Sequence, residues 1–575
     1  AITMPSTTVT LAAVGNKATY NEVTATTAQQ TLIINAGVTV KKLTVKGGNL
    51  KIYGKVEQLV HDAGDTTIYI IKGTEASLPA TIDSKFVVQS DVAVLKAAFA
   101  NGEDFKLSAD ADITGQSVSV PAGKSVVLDL NGYTLTADNS ATGKIIVLGK
   151  MTLKDSSTEK KGKIVASQDY TAASYNGSLI EIAGEDASMT MESGNISAVR
   201  KTPNSNGQYG VGVTDGGDFT MTGGKIEAGW FAVAGNGNYK TQNSIINITD
   251  GELISTADYA VYLPQSGTTT ISGGKVYGAA GGVCIQRGTL NVEGTALITS
   301  KGTGSTGNWG DGTGGLDCAA INVSGAYGIA TVNIKGGTLI AEAKSLITEG
   351  TTYTPVINVT GGTFSDPSVL KYMATNATVD IKLLSNINIA KTELATGYIL
   401  NAANATANLN LNGHDIINSS ETADATPFTQ IFTVQNGTLN ISGNGNVKCD
   451  ASATAKDDGY RMVIEARGHG TVNIHGGSYY NTQKLNTQID LIYARENGKI
   501  NIYGGTFESG KYGTPNNDTD GRYWVLNLKN TDKNTASIQV SGGTFINFNP
   551  ANPNMDDNES YLVTGYEVTR DGSVY

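Results

Sequence analysis

The sequence predicts an all-β protein folded as a right-handed parallel β-helix, or β-solenoid, in two tandem duplicated modules with a small N-terminal all-β region. Three observations carry that expectation: a recurring glycine phrase, the interval at which it recurs, and a long-range duplication. The phrase is an apolar residue, a small polar one, an apolar one, a variable position, Gly-Gly, and a further apolar residue after one position. It reads VNIKGGTLI at 332–340, INVTGGTF at 357–364, VNIHGGSYY at 472–480, INIYGGTF at 500–507 and IQVSGGTF at 538–545. Looser copies include TMESGNI, TMTGGKI, NITDGEL and TISGGKV. Self-similarity at a short fixed period is the mark of stacked repeats.

The second glycine of the phrase sets the interval. It moves from Gly194 to Gly224, Gly251 and Gly274, then from Gly337 to Gly362 and from Gly477 to Gly505, in steps of 30, 27, 23, 25 and 28 residues. Such a step suits one coil of three short strands joined by turns. Within a coil the alternation is strand-like, with Val332 and Ile334 inward and Asn333 outward. The glycines supply the corners, where positive φ or a missing Cβ is needed. At about 25 residues per coil and about 4.8 Å between strands, some 500 residues predict roughly 20 rungs and a rod on the order of 100 Å long.

Residues 1–88 form the N-terminal region, where Leu43, Val45, Leu50 and Ile52 alternate as in a smaller solenoid or an all-β cap. The first module is assigned to 89–365 and the second to 366–548. Gly132 matches Gly413, Gly194 matches Gly477 and Gly224 matches Gly505, at offsets of 281, 283 and 281. Each module opens on a short helix that covers the raw end of its stack. Ser90 is expected to cap the first, over 91–101, and Gly102 to end it; Asp366 followed by Pro367 starts the second. Residues 549–575 read as a C-terminal cap or as the start of a longer extension. The chain begins at Ala1 without a basic or apolar leader, so a signal peptide or only an initiator Met has been removed.

Composition narrows the function classes. Charged residues are 16% of the chain, which suits turn-dense β structure. The net charge of −11 offers no attraction for nucleic acid or an anionic membrane, so no nucleic-acid partner is expected. No stretch approaches eighteen consecutive apolar residues, so no transmembrane segment is expected. Cys284, Cys318 and Cys449 lack metal spacing and read as buried small residues, with a Cys284–Cys318 disulfide as the alternative. His61, His414, His469 and His475 make no metal-ligand pattern. No cofactor or metal is implied.

Catalytic candidates are few. Asp457 and Asp458 stand upstream of Gly468-His469-Gly470, and Asn530-Thr531-Asp532 follows. These triplets are similar to the signatures of polygalacturonase-type β-helix glycosidases, in which two carboxylates flank the scissile bond. Their order differs, however, and the Arg-Ile-Lys of that family is missing. A lyase would instead need Arg or Lys beside a calcium-binding acidic cluster, and only Arg461 and Arg467 lie near Asp457 and Asp458. Enzyme activity is therefore left open with the balance against it, a polysaccharide lyase or polygalacturonase-like glycosidase being the alternative.

Binding candidates are better supported. Trp309 and Asp311 lie in a Gly-rich insertion, GTGSTGNWGDGTGG, expected to project and to stack on a sugar. Tyr479 and Tyr480 point to opposite faces of one strand, which should leave one of them, taken as Tyr480, outside. Trp524 and Trp230 follow matching coils, a place that also suits packing. Asn fills the small polar place of the phrase at Asn247, Asn291, Asn333, Asn358, Asn440, Asn473 and Asn501. That column reads either as a polar face for sugars or as an amide ladder along the stack.

The phrases GGTF, LDLNGYTL, GGTFSDPSVLKYM and GGTFINFNP, which recur over most of 90–575, resemble those of Gly-Gly-Thr-rich β-helix surface proteins of gut bacteria and their phages. The resemblance implies an extracellular or cell-surface setting, or a virion. It further implies a non-catalytic structural or adhesion role, with loops displayed for a glycan or other host-surface ligand. A phage fibre or tail spike is the remaining alternative, and would be a trimer.

Overall fold

The computed structural model describes residues 2–3, 8–13, 15, 17–26, 30–138, 143–167, 177–199, 208–235, 243–306, 313–349, 352–389, 397–418, 428–449, 460–481, 489–509, 523–553 and 559–575. The chain forms two compact units. One comprises Ala1–Thr270, Gly274–Ala279 and Gly307–Gly314, the other Ile271–Gly273, Ala280–Thr306 and Gly315–Tyr575. Both are all-β and stack their strands in parallel, one coil above the next, as expected of a β-solenoid.

The first unit opens with two small parallel stacks. Strands Ala18–Ala25, Val38–Val45 and Lys55–His61 form one; Thr31–Ile34, Asn49–Ile52, Ile68–Lys72 and Phe86–Ser90 belong to the other. Val23, Leu32, Val40, Leu43, Leu50 and Ile52 fill the space between them. Helix Val92–Asn101 follows, ended by Gly102 at φ 81°. Its cap lies one residue later than expected: the Asp91 carboxylate accepts from the Ala93 N–H, while the Ser90 hydroxyl donates to the Ala109 carbonyl. Asp91 wins because a carboxylate also favours the positive end of the helix.

Three parallel sheets then rise together. One contains Ser125–Asp129, Lys150–Lys154, Ser188–Met191, Asp218–Met221 and Ser244–Ile248, and each coil continues through a second and a third sheet before returning. Met151, Met189, Phe219 and Ile246 lie in one buried column, and Thr152, Thr190, Thr220 and Asn247 in the outward column beside it. At the corner, Gly194, Gly224 and Gly251 have φ of 93°, 85° and 100°. In the other unit Gly477 and Gly505, which the sequence aligns with Gly194 and Gly224, have φ of 89° and 104°.

Aspartates tie one coil to the next. Asp155 Oδ1 accepts from the N–H groups of Gly132 and Ser157 at 2.8 and 3.0 Å, and Oδ2 from Gly162 at 2.6 Å. Burial alone would raise the Asp155 pKa, but hydrogen bonds from Ser157, Gly162 and Gly132 together hold it below the ordinary carboxylate range. A lowered folded pKa stabilises above the unfolded pKa, and that contribution is lost as pH falls through the folded value. Asp155→Asn is therefore expected to destabilise the first unit by about 1–2 kcal/mol at pH 7. The gap from the parent protein should close below about pH 4. Urea midpoints at pH 7 and pH 3 check this; an equal gap at both refutes it.

The second unit continues the same three-sheet plan through Gly288–Val292, Ala330–Ile334 and Val356–Val359 in one sheet. The two-turn 3₁₀ helix Pro367–Tyr372 follows, capped by Asp366, whose carboxylate accepts from the Ser368 N–H. Beyond it the plan changes. Tyr398–Asn410, Phe428–Ser442 and Tyr460–Ile474 are single strands of 13, 15 and 15 residues that bend without breaking, with register shifts near 400–406 and 434–436. A β-bulge turns the corner here in place of a loop. Phe507 stacks between Tyr479 at 5.0 Å and Phe545 at 4.9 Å. All three are buried, a continuous aromatic core under the Gly-Gly corners.

Cys284, Cys318 and Cys449 are buried free thiols, so the Cys284–Cys318 disulfide is not formed. Among the described residues, no helix is long and apolar enough to cross a membrane.

Candidate functional site

One sheet face of the second unit gathers polar side chains in rows. Thr378–Lys382, the 406–410 part of the next strand, the 438–442 and 471–474 parts of the two after it, Lys499–Ile502 and Ser537–Val540 run side by side. Ile381, Leu409, Ile441, Ile474, Ile502 and Val540 are buried beneath it. Strand alternation then forces Asp380, Asn408, Asn440, Asn473, Asn501 and Gln539 outward in a single register column.

The column is an amide ladder. Asn501 Nδ2 donates to Asn473 Oδ1 at 2.9 Å, Asn473 to Asn440 at 2.8 Å, Asn440 to Asn408 at 2.8 Å, and Asn408 to Asp380 Oδ1 at 3.0 Å. A second ladder joins Asn358, Asn333 and Asn291 at 3.0 Å per step. The ladder and the sugar-face readings are compatible, because each inner amide uses one N–H and one oxygen lone pair on its neighbours and retains one of each.

Beside the first ladder, at the variable position of the phrase, lies the corner row Ser442, His475, Tyr503 and Ser541. The His475 and Tyr503 rings stack with centroids 4.7 Å apart and planes 9° apart. Both are exposed, Tyr503 by 51%. Sequence reasoning treated His475 as one turn residue among four histidines and passed over Tyr503. The signal was present: aligned copies of the phrase put both rings at the same place in successive coils.

The predicted site residues are scattered. Trp309, Asp311, Asp457 and Asp458 lie outside the described residues. His469 is exposed and pairs in register with Asn436. Tyr479 is buried, its hydroxyl donating to the Gly476 carbonyl at 2.9 Å, while Tyr480 is half-buried between Lys448 and Glu508 in register. Trp524 is half-buried beside Asp490 in register, whereas Trp230 is buried against Tyr209.

The structure does bring the turns of Gly468 and Asn530-Thr531-Asp532 near one another, through Glu496. Gly468 N–H donates to Glu496 Oε2 at 3.0 Å, and Glu496 N–H to Asp532 Oδ2 at 2.6 Å. That backbone donor, with the Thr531 hydroxyl and Lys529, holds Asp532 below the ordinary carboxylate range. It is thereby an anchored anion and a poor proton donor. Nearby, Glu465 is buried against Arg495 at 2.6 Å, and burial with the Asp490 charge pushes Tyr493 up to about 12. Among the described residues, no three His, Cys, Asp or Glu converge to hold a metal ion.

Elsewhere, the first unit has a groove of about 580 Å³ whose walls, including Lys124, Lys150, Glu185 and Asp186, mix both signs of charge. In the second unit a groove of about 310 Å³ runs along the last coil past Ser537, Ile538 and Gln539. Comparison with family models, with curated proteins and with solved structures found no match for this chain.

Proposed function

We propose that the protein is a non-catalytic, extracellular adhesion or structural protein of a cell surface, a right-handed β-helix in two tandem duplicated modules that binds glycans. The observation that carries the reading is the exposed His475–Tyr503 stack standing beside the uncharged Asn473 and Asn501 amides of the ladder. An aromatic ring offers an apolar face to the C–H groups of a sugar, and unused amide donors and acceptors match its hydroxyls. The corresponding column of the first unit holds Thr152, Thr190 and Thr220, and its corner row holds Glu192 and Thr222 in place of the rings. The Gly-Gly-Thr phrases support the surface setting by resemblance alone.

Binding to a polysaccharide panel by affinity electrophoresis tests the reading. Tyr503→Ala should weaken binding about tenfold, the loss of one central contact. The polymer should keep its length, with no new reducing ends and no unsaturated product. Binding unchanged by Tyr503→Ala refutes the assignment to this face, and cleavage refutes the non-catalytic role.

A further inference from the structure

Resting on that reading, we infer that the bound glycan is a neutral polysaccharide, one of whose pyranose rings takes the next place in the His475–Tyr503 row, over Ser541, while the chain continues along the last coil past Gln539. The row itself points to the first half. His475 covers one face of Tyr503. The other face looks toward the succeeding coil, where the same position is Ser541. The Ser541 hydroxyl folds back to donate to the Ile502 carbonyl at 3.3 Å, and a serine at this position sets no ring of its own on Tyr503. A sugar laid flat on Tyr503 continues the stack, at the spacing of about 4.8 Å that the strands impose.

The course of the chain follows from the ring plane. A pyranose parallel to Tyr503 lies within the level of one coil, so its linked neighbours run along the strand and not from coil to coil. From Ser541 that direction leads past Gln539 into the groove of about 310 Å³ between Ser537–Gln539 and 560–564. Tyr561 lines this groove; it is 5% exposed, and among the described residues its buried hydroxyl has no hydrogen-bond partner. An unpaired buried hydroxyl is uncommon, and a ligand partners this one where the 560–564 segment gives way to it.

Charge selects the class. Asn501 and Gln539 each supply a donor and an acceptor, Ser541 an acceptor, and none of the three carries a charge. The one lysine of the groove, Lys533, is paired with Glu559 at 3.3 Å. A uronate would find no free cation among the described residues lining the groove, although the exposed Lys499 stands in register with Ser537 on the neighbouring coil, and the net charge of −11 opposes a polyanion.

The full chain is tested against barley β-glucan, laminarin, amylopectin, galactomannan and polygalacturonate. At least one neutral polymer should bind, and polygalacturonate at least tenfold more weakly. Ser541→Phe fills the place over Tyr503 and should abolish binding, whereas Ser442→Phe, on the far side of His475, should leave it within twofold. Tyr561→Phe keeps the ring, removes the hydroxyl, and should weaken binding about fivefold. Circular dichroism confirms that each variant is folded. If Tyr503→Ala weakens binding but Ser541→Phe does not, the slot is wrong and the binding face stands. If neither does, the face itself is wrong. Unchanged binding by Tyr561→Phe overturns the course along the groove, and preferred binding of polygalacturonate overturns the neutral class. Binding of none of the five polymers overturns both readings.

Discussion

Replacing Arg495 with alanine is expected to destabilise the second unit by about 3–5 kcal/mol, because it strands a buried carboxylate. Glu465 is 2% exposed, and Arg495 Nε donates to its Oε1 at 2.6 Å. The remaining oxygen has only long contacts, from Gln430 Nε2 at 3.4 Å and Thr433 Oγ1 at 3.5 Å. The same guanidinium donates to the adjacent Glu496 at 2.6 Å, and its bond to Glu465 is the one that joins two coils. Val463, Leu491 and Val525, each two residues before Glu465 or its register partners, are fully buried, so the carboxylate borders the apolar core. Removing both charges together, as Glu465→Met with Arg495→Met, should restore most of the loss, since the pair is worth little against well-packed apolar side chains. Native-state hydrogen exchange of Tyr460–Ile474 and Ile489–Ala494 reads the effect locally. Protection lowered by less than 1 kcal/mol in Arg495→Ala refutes the account.

Gly224→Ala is expected to destabilise the first unit by about 3 kcal/mol, from strain and collision together. At φ 85° an added Cβ is strained by about 1–2 kcal/mol. It also meets the Gly194 carbonyl oxygen at 2.5 Å and the Met191 methyl at 2.7 Å. The methionine can move, but the carbonyl belongs to the coil below and cannot. Gly184, at φ 110° with nothing within 4 Å, isolates the first contribution: Gly184→Ala should lose only about 1–2 kcal/mol. Thermal unfolding of the two variants side by side separates them. Equal losses show that the corner yields to a methyl group, and that close stacking does not select this glycine.

The core was legible because burial repeats with the coil. Reading Val332 and Ile334 inward and Asn333 outward required only the period of a strand, and all three are placed that way. The amide ladder was legible for the same reason, as one residue type returned at one position. What escaped depends on competition between near neighbours or on contacts between coils. Asp91 displaced Ser90 as the cap because two adjacent residues can both accept from the helix, and the sequence does not rank them. Long continuous strands replaced separate short ones over 398–474 because a register shift needs only one to three surplus residues, which leaves no composition signal. Glu465 looked like any strand charge until Arg495, thirty residues on, was brought beside it. The ring pair escaped for a different reason: the variable place of the phrase was treated as noise, yet it faces solvent in every coil and is free to change with function.

The direction of the amide ladder bears on how the chain finds its pairing. Coils this similar invite a slip in which one strand docks a full repeat too early or too late. Every amide from Asn501 back to Asn408 donates toward the preceding coil, and the row ends on Asp380. A carboxylate accepts and has no N–H to pass on, so it fixes the orientation of all four asparagines above it. Were Asp380 to stand in the middle of the row, the asparagines on both sides would have to donate to it, and the row would reverse direction there. A single acid thus acts as a stop mark, telling a nearly uniform stack where to begin counting.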